Sequence, residues 1–238
     1  MTFRSCLLAA SCCLATPAMA YQAGDILVRG GIAHVSPDSS MEPVSSPVGA
    51  LNGLDDIVTV DSGNGVTATA TYMFHKNFGI ELVGALPFRH SLQGDGALAS
   101  VGKIGETKHL PPTVLLQFYP LDSHETVMPY IGIGYNYTFF FGNDTNAAFA
   151  GAVGDVIGAD VTNTTLDLSD SHGIAAEVGA DWPVTGNLSL NTSVWYLDIS
   201  SRAHVDATLS SGAEVKDAAT FDVEIDPFVF AFGAAWTF

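Results

Sequence analysis

A closed, eight-stranded antiparallel up-and-down β-barrel that spans a membrane is the all-β fold this sequence predicts. Three observations carry the expectation. Hydrophobic residues make up 47% of the 238 residues and charged ones only 14%. Yet the chain beyond its N-terminus contains no run of about 18 uncharged apolar residues, which a membrane-crossing helix requires. Apolar side chains instead recur at every second position in segment after segment, the period of a strand with one greasy face. Eight such segments can be drawn, joined by connections that mostly alternate short and long, as in barrels with short periplasmic turns and longer extracellular loops.

The N-terminus reads as an export signal over 1–20. Arg4 supplies the positive start, Cys6 to Ala15 the apolar stretch, and Ala18-Met19-Ala20 a small-residue cleavage site. Cleavage after Ala20 would leave a barrel over 21–238. A lipoprotein reading of Cys12 and Cys13 fits less well, because the apolar stretch before Cys12 is short. All three cysteines lie in this leader. The exported chain therefore offers no thiol for disulfides, thiolate catalysis or a cysteine zinc site. With 25 acidic against 8 basic residues and a net charge of −17, it has no basic footprint for nucleic acid.

The eight segments are 24–36, 65–75, 78–93, 103–119, 128–141, 171–184, 188–210 and 214–238. In the last, Phe228, Phe230, Phe232, Trp236 and Phe238 share one face, while Val229, Ala231, Gly233, Ala235 and Thr237 share the other. A chain ending on an aromatic face suits lipid better than water. The terminal Phe238 also resembles the signal that barrels show to the assembly machinery of the Gram-negative outer membrane. Val66, Ala68, Ala70, Tyr72 and Phe74 repeat the pattern, as do Ile131, Ile133, Tyr135, Tyr137 and Phe139, and Ile174, Ala176, Val178, Ala180 and Trp182. Short turns fall near His75-Lys76-Asn77, Leu121 to Thr126 and Thr185-Gly186-Asn187. Loops are expected over 37–64, 94–102 and 142–170, and the connection near Ser211-Gly212 looks too short for the rule. The apolar stretch 147–159 has the makings of a short helix, but its glycines make it a poor one. Acids in the 142–170 loop lack calcium-loop spacing and read as solvated side chains.

Catalytic patterns are missing: there is no G-x-S-x-G, H-E-x-x-H or P-loop, and the seven histidines lack metal-ligand spacing. No catalytic residue, cofactor or metal site is therefore assigned. The alternation turns Arg29, Glu81, Arg89, Glu177 and Asp181 inward, because lipid would not tolerate them. These groups read either as an ion-pair plug or as a selectivity ring in a water-filled pore. Side chains fill most of an eight-stranded lumen, which favours the plug. Leu115 and Tyr119 on one strand and Trp195 and Leu197 on another also point inward, above the charged level, and suggest a pocket for an apolar solute.

Proline placement adds one local expectation. Pro87 on the third strand and Pro111 and Pro112 on the fourth fall at about the same height, and proline removes a ladder donor. The pairing between these strands should therefore fail there. The failure would mark either a lateral opening into the bilayer or a harmless splaying of strands in water.

Several stretches resemble the outer membrane protein W family. They are Gly79-Ile80-Glu81-Leu82 through Leu86-Pro87-Phe88-Arg89-His90, then Lys108-His109-Leu110-Pro111-Pro112-Thr113, Pro129 through Thr138, Ser193 through Ile199, and Asp226-Pro227-Phe228-Val229-Phe230. The resemblance covers essentially all of 21–238. It implies a monomeric barrel, akin to the alkane-uptake barrels, that admits small hydrophobic molecules passively and releases them through its wall. Leu115, Trp195 and Leu197 would then line the channel, Pro87, Pro111 and Pro112 would mark the opening, and the ionisable residues would close the floor. Partners would be membrane lipid and lipopolysaccharide, small hydrophobic solutes and the barrel assembly machinery. The competing reading is a structural or receptor barrel whose loops bind partners over a closed lumen.

Overall fold

The computed structural model describes residues 21–121 and 126–238. The leader over 1–20 and most of the turn over 121–126 lie outside the described residues. Along the chain the strands are β1 (Ile26–Ser36), β2 (Ser40–Met41), β3 (Val58–Val60), β4 (Gly63–His75), β5 (Phe78–Ala85), β6 (Phe88–Gly94), β7 (Lys103–Leu110) and β8 (Thr113–Phe118). They continue with β9 (Met128–Thr145), β10 (Val161–Leu168), β11 (Ser171–Thr185), β12 (Leu188–Leu197), β13 (Ser200–Leu209), β14 (Glu214–Glu224) and β15 (Phe228–Thr237). A 3-10 turn over Gly96–Val101 joins β6 to β7, and α1 (Ala147–Ile157) follows β9.

Eight of these strands close the barrel. They run β1-β4-β5-β8-β9-β11-β12-β15, every pair antiparallel, and β15 pairs back onto β1 from Thr237 opposite Leu27 to Phe228 opposite Ser36. Closure leaves no unpaired edge in lipid, where an unsatisfied backbone group costs several kcal/mol. The alternating residues sort as the period demands. Phe230, Phe232, Ile131, Ile133, Ile174 and Val178 face out, and Ile133 is 65% exposed. Their neighbours Val229, Ala231, Ala175 and Glu177 face in and are buried.

Four barrel strands are shorter than their sequence segments because each segment breaks above the membrane and continues in a second layer. β6 and β7 extend the wall upward with the top of β9 and with β3, while β10, β13, β14 and β2 form a separate four-stranded sheet. Between these sheets lies an apolar core that includes Leu92, Ile104, Leu166, Val205 and Phe221, with Phe149 and Val153 of α1 packed into it. The connection near Ser211-Gly212 is thus the tip of a long extracellular hairpin, β13–β14, inserted between β12 and β15. The alternation of short turns and long connections holds once that hairpin is counted as a loop. α1 forms despite its glycines for three reasons. The Asn146 side chain caps the N–H of Phe149 at 2.9 Å, Gly158 closes the other end with φ 69°, and one face is buried. Gly154 is required on that face, since a Cβ there would lie 2.8 Å from the carbonyl of Ala159.

Candidate functional site: stacked cavities above a polar floor

The lower lumen is built around Arg29 of β1. Its Nη2 lies 2.7 Å from Asp181 Oδ2 of β11 and its Nη1 3.3 Å from Glu81 Oε1 of β5. The same guanidinium donates to Thr71 Oγ1 and to the Tyr119 hydroxyl, each at 2.9 Å, and sits 4.8 Å over the Tyr130 ring. The Tyr119 hydroxyl donates in turn to Gln117 Oε1, and Gln117 Nε2 donates to Glu177 Oε2, each at 2.7 Å. Asp181 accepts further bonds from Tyr21 and Asn191, both at 2.8 Å. Every strand of the barrel except β15 reaches the cluster with a side chain. Below it Leu27, Met73, Met128 and the rings of Tyr21, Tyr119 and Tyr130 fill the base. Together these layers close the lower lumen with side chains.

Arg29, Glu81, Glu177 and Asp181 are thus brought together; Arg89 is not. Its side chain is 62% exposed and pairs with Glu106 on the outer surface. Parity explains the difference. Glu81 and Val83 point inward, but Leu86 and Pro87 are both exposed, so the inward face passes to Phe88, His90 and Leu92. A period-2 count carried across the proline turns Arg89 the wrong way.

Above the floor lies a small pocket beside Arg29, bounded by Thr67, Thr69, Asn191 and Trp195. A second small cavity follows, lined by Val83, Ala85, Phe88, Pro111, Thr113, Trp195, Leu197 and Val229. Leu115 is buried in the same apolar cluster. Higher still, an apolar chamber lies between the two extracellular layers, with Leu92, Ile104, Phe140, Leu166 and Phe221 among its walls. The uppermost cavity lies under α1 and shares Val58, Phe149, Val205 and Phe221 with the chamber. A cluster of four rings lies at the base of the chamber, with Phe88, His109 and His90 stacked and Phe140 tilted against them. Phe88 lies 5.5 Å from His109, His109 4.9 Å from His90, and Phe140 6.0 Å from His109.

The barrel wall is interrupted at the level of the cavity that Pro111 lines. Pairing of β5 with β8 ends at Val83 opposite Thr113, and pairing resumes only where Phe88 of β6 meets His109 of β7. Residues 84–87 and 110–112 therefore have no ladder across this seam. Pro111 lines the cavity, whereas Pro87 faces outward. The proline carbonyls are satisfied elsewhere: Pro112 accepts from the Tyr137 N–H at 3.1 Å, and Pro111 from the Thr113 hydroxyl at 3.0 Å. Neither of these two carbonyls is thus left without a donor.

His90 and His109 sit outside the membrane-spanning strands, and burial dominates their protonation. Desolvation lowers His90, partly offset by its bond to the Asp61 carbonyl. Desolvation, with a smaller push from His90, lowers His109 to about 3. The unfolded imidazole, near 6.5, binds a proton more readily than the folded one. The stability that the neutral pair confers is therefore complete above about pH 6.5 and declines as the pH falls toward 3. NMR titration of the imidazole carbons should show His109 still neutral at pH 4; a midpoint near 6.5 would contradict the buried geometry.

The sequence reading did not single out Gln117 and Asn191, although each shares the inward parity of a residue it did place there, Gln117 that of Leu115 and Asn191 that of Trp195. Tyr21, Thr71 and Tyr130 were not singled out by it. The chamber residues had no such signal, because they come from segments whose partners only the folded cap defines.

A lipid-facing apolar band, a closed eight-stranded wall and a buried polar cluster within it define a small transmembrane β-barrel of the outer-membrane kind. Comparison with known proteins agrees. The model of the OmpW family matches residues 22–238. The chain is 39% identical over 223 residues to outer membrane protein W of Vibrio cholerae serotype O1, covering 93% of this chain and 92% of that one. The crystal structure of the outer membrane protein OprG from Pseudomonas aeruginosa superposes with a TM-score of 0.75 at 34% identity, over 92% of this chain and 98% of that one. Outer membrane protein AlkL of Ectopseudomonas oleovorans is 24% identical over 218 residues, 92% of this chain and 84% of that one. The chain belongs to the OmpW family and is a protein of the Gram-negative outer membrane.

Proposed function

We propose that this barrel carries small hydrophobic molecules passively from outside the cell, through its stacked cavities, and releases them sideways into the membrane between β5 and β8. The observation that carries the reading is the coincidence of two features at one level. The ladder between these strands fails between Val83–Thr113 and Phe88–His109. A cavity lined by Val83, Ala85, Phe88 and Pro111 lies against the same seam.

A solute descending from the chamber meets the Arg29 cluster, which offers an apolar molecule no favourable contact. Desolvating those charges to let it pass is costly. The flank is the remaining way out, and lipid beyond it is as apolar as the solute. No energy source is required, because the gradient from water into the bilayer favours transfer at about 25 cal/mol per Å² of apolar surface. Membrane lipid and lipopolysaccharide are the surroundings this route implies, and Phe238, 69% exposed on the outer face, is the residue offered to the assembly machinery.

Ala85→Trp tests the route by filling the cavity at the seam. Uptake of a labelled medium-chain hydrocarbon into cells carrying the variant should fall to the level of membranes without the protein, at equal surface amount. Wild-type uptake no faster than that of empty membranes would overturn the proposal and direct attention to the folded extracellular cap as a receptor surface.

A further inference from the structure

We infer that the preferred solutes are hydrophobic molecules carrying a hydroxyl group, such as medium-chain aliphatic alcohols, rather than plain hydrocarbons. This rests on the passage proposed above and narrows it to a substrate class. Two separated stations along the cavities carry the inference.

The upper station is the imidazole pair at the base of the chamber. His90 Nδ1 lies 2.7 Å from the Asp61 carbonyl. A carbonyl only accepts, so Nδ1 carries the proton and Nε2 of the neutral ring is a bare acceptor. That atom is buried and has no hydrogen-bond partner, in a residue only 2% exposed. Gly63 faces it, and a Cβ there would lie 3.1 Å from Nε2, so the glycine keeps the space beside the nitrogen free of a side chain. His109 stacks on the same ring, and both imidazoles line the chamber.

The lower station is Trp195. Its indole Nε1–H is buried without a partner, and the ring borders both the cavity at the seam and the pocket above Arg29. The hydroxyls of Thr69 and Ser193 are buried and unpartnered as well. Leaving such groups unsatisfied costs more than a made hydrogen bond returns, so a row of them along an otherwise apolar route calls for a ligand that completes them.

The chemistry selects the group. An aliphatic hydroxyl donates to His90 Nε2 above and accepts from Trp195 Nε1 below. A ketone or ether serves only the tryptophan, an ammonium only the histidine, and an alkane neither. A carboxylate meets neutral imidazoles in a chain of net charge −17, which offers it no counter-charge in the chamber.

The test uses the full chain in lipid nanodiscs, labelled with ¹⁵N in histidine and tryptophan and with ¹³C in methyl groups. It is titrated with 1-octanol and with n-octane at matched concentrations in the lipid phase. Octanol should move the His90 Nε2 and Trp195 Nε1 resonances and bind roughly three- to tenfold more tightly than octane, which should perturb only methyls such as those of Leu92 and Ile104. In the His90→Phe, Trp195→Phe double variant that ratio should collapse to near one. Equal affinity for the two, with both nitrogen signals still, would overturn the hydroxyl preference and leave the apolar passage standing. Perturbation of no cavity residue by either ligand would overturn the passage and the preference together.

Discussion

Arg29→Met should lower the unfolding free energy of the barrel by about 3–5 kcal/mol, the range for removing one partner of a buried ion pair. Arg29 is 4% exposed, and Glu81 and Asp181 are fully buried. The guanidinium is the one cation in the cluster and serves two carboxylates, two hydroxyls and a ring face. Its loss leaves the carboxylates facing one another without a counter-ion. Methionine keeps much of the volume, so the effect measures charge compensation rather than a void. Adding Asp181→Leu to the variant should recover part of the loss, because an apolar pair can replace a buried ion pair at little cost. Urea titration of the protein in lipid vesicles measures both. A change within about 0.5 kcal/mol, the range of surface substitutions, would show that the cluster is solvated rather than sealed.

The barrel was readable from the sequence because its wall repeats one rule. Phe228 to Phe238, Ile131 to Phe139 and Ile174 to Trp182 alternate without interruption, and in the structure these strands pair and face as their period requires. Arg29, Glu81, Glu177 and Asp181 were legible for the same reason: an ionisable side chain on the inward register has only the lumen to go to. Arg89 marks where that logic stops. Leu86-Pro87 spends two successive residues facing outward, and parity beyond it is inverted. The prolines also signalled the seam, since they lack the donors a ladder needs. The cap was the illegible part. β10 pairs with the β13–β14 hairpin across a long sequence separation, and the alternation of these strands fixes which face is apolar but not which sheet covers it. The chamber, the stacked His90 and His109 and the folding of the Ser211-Gly212 hairpin all depend on that association.

The second large effect concerns the seam itself. Pro87→Val with Pro111→Val returns two backbone donors to the stretch between Val83–Thr113 and Phe88–His109, where no pairing crosses. β-branched residues favour extended pairing, so the ladder should extend into the seam and narrow the flank of the cavity. Neither proline takes part in the Arg29 cluster, and wall closure elsewhere is untouched, so the barrel should assemble in normal amount. The floor should stay shut as well, with ion conductance near zero in both forms. Only sideways passage is expected to change.

The most direct measurement is therefore the rate at which a labelled medium-chain hydrocarbon enters cells whose outer membrane carries the wild type, the double proline variant or no added protein, at matched surface amounts. Lateral release predicts fast uptake with the wild type and uptake near the empty-membrane rate with the variant. Uptake equally fast in the wild type and the variant would contradict release through this seam.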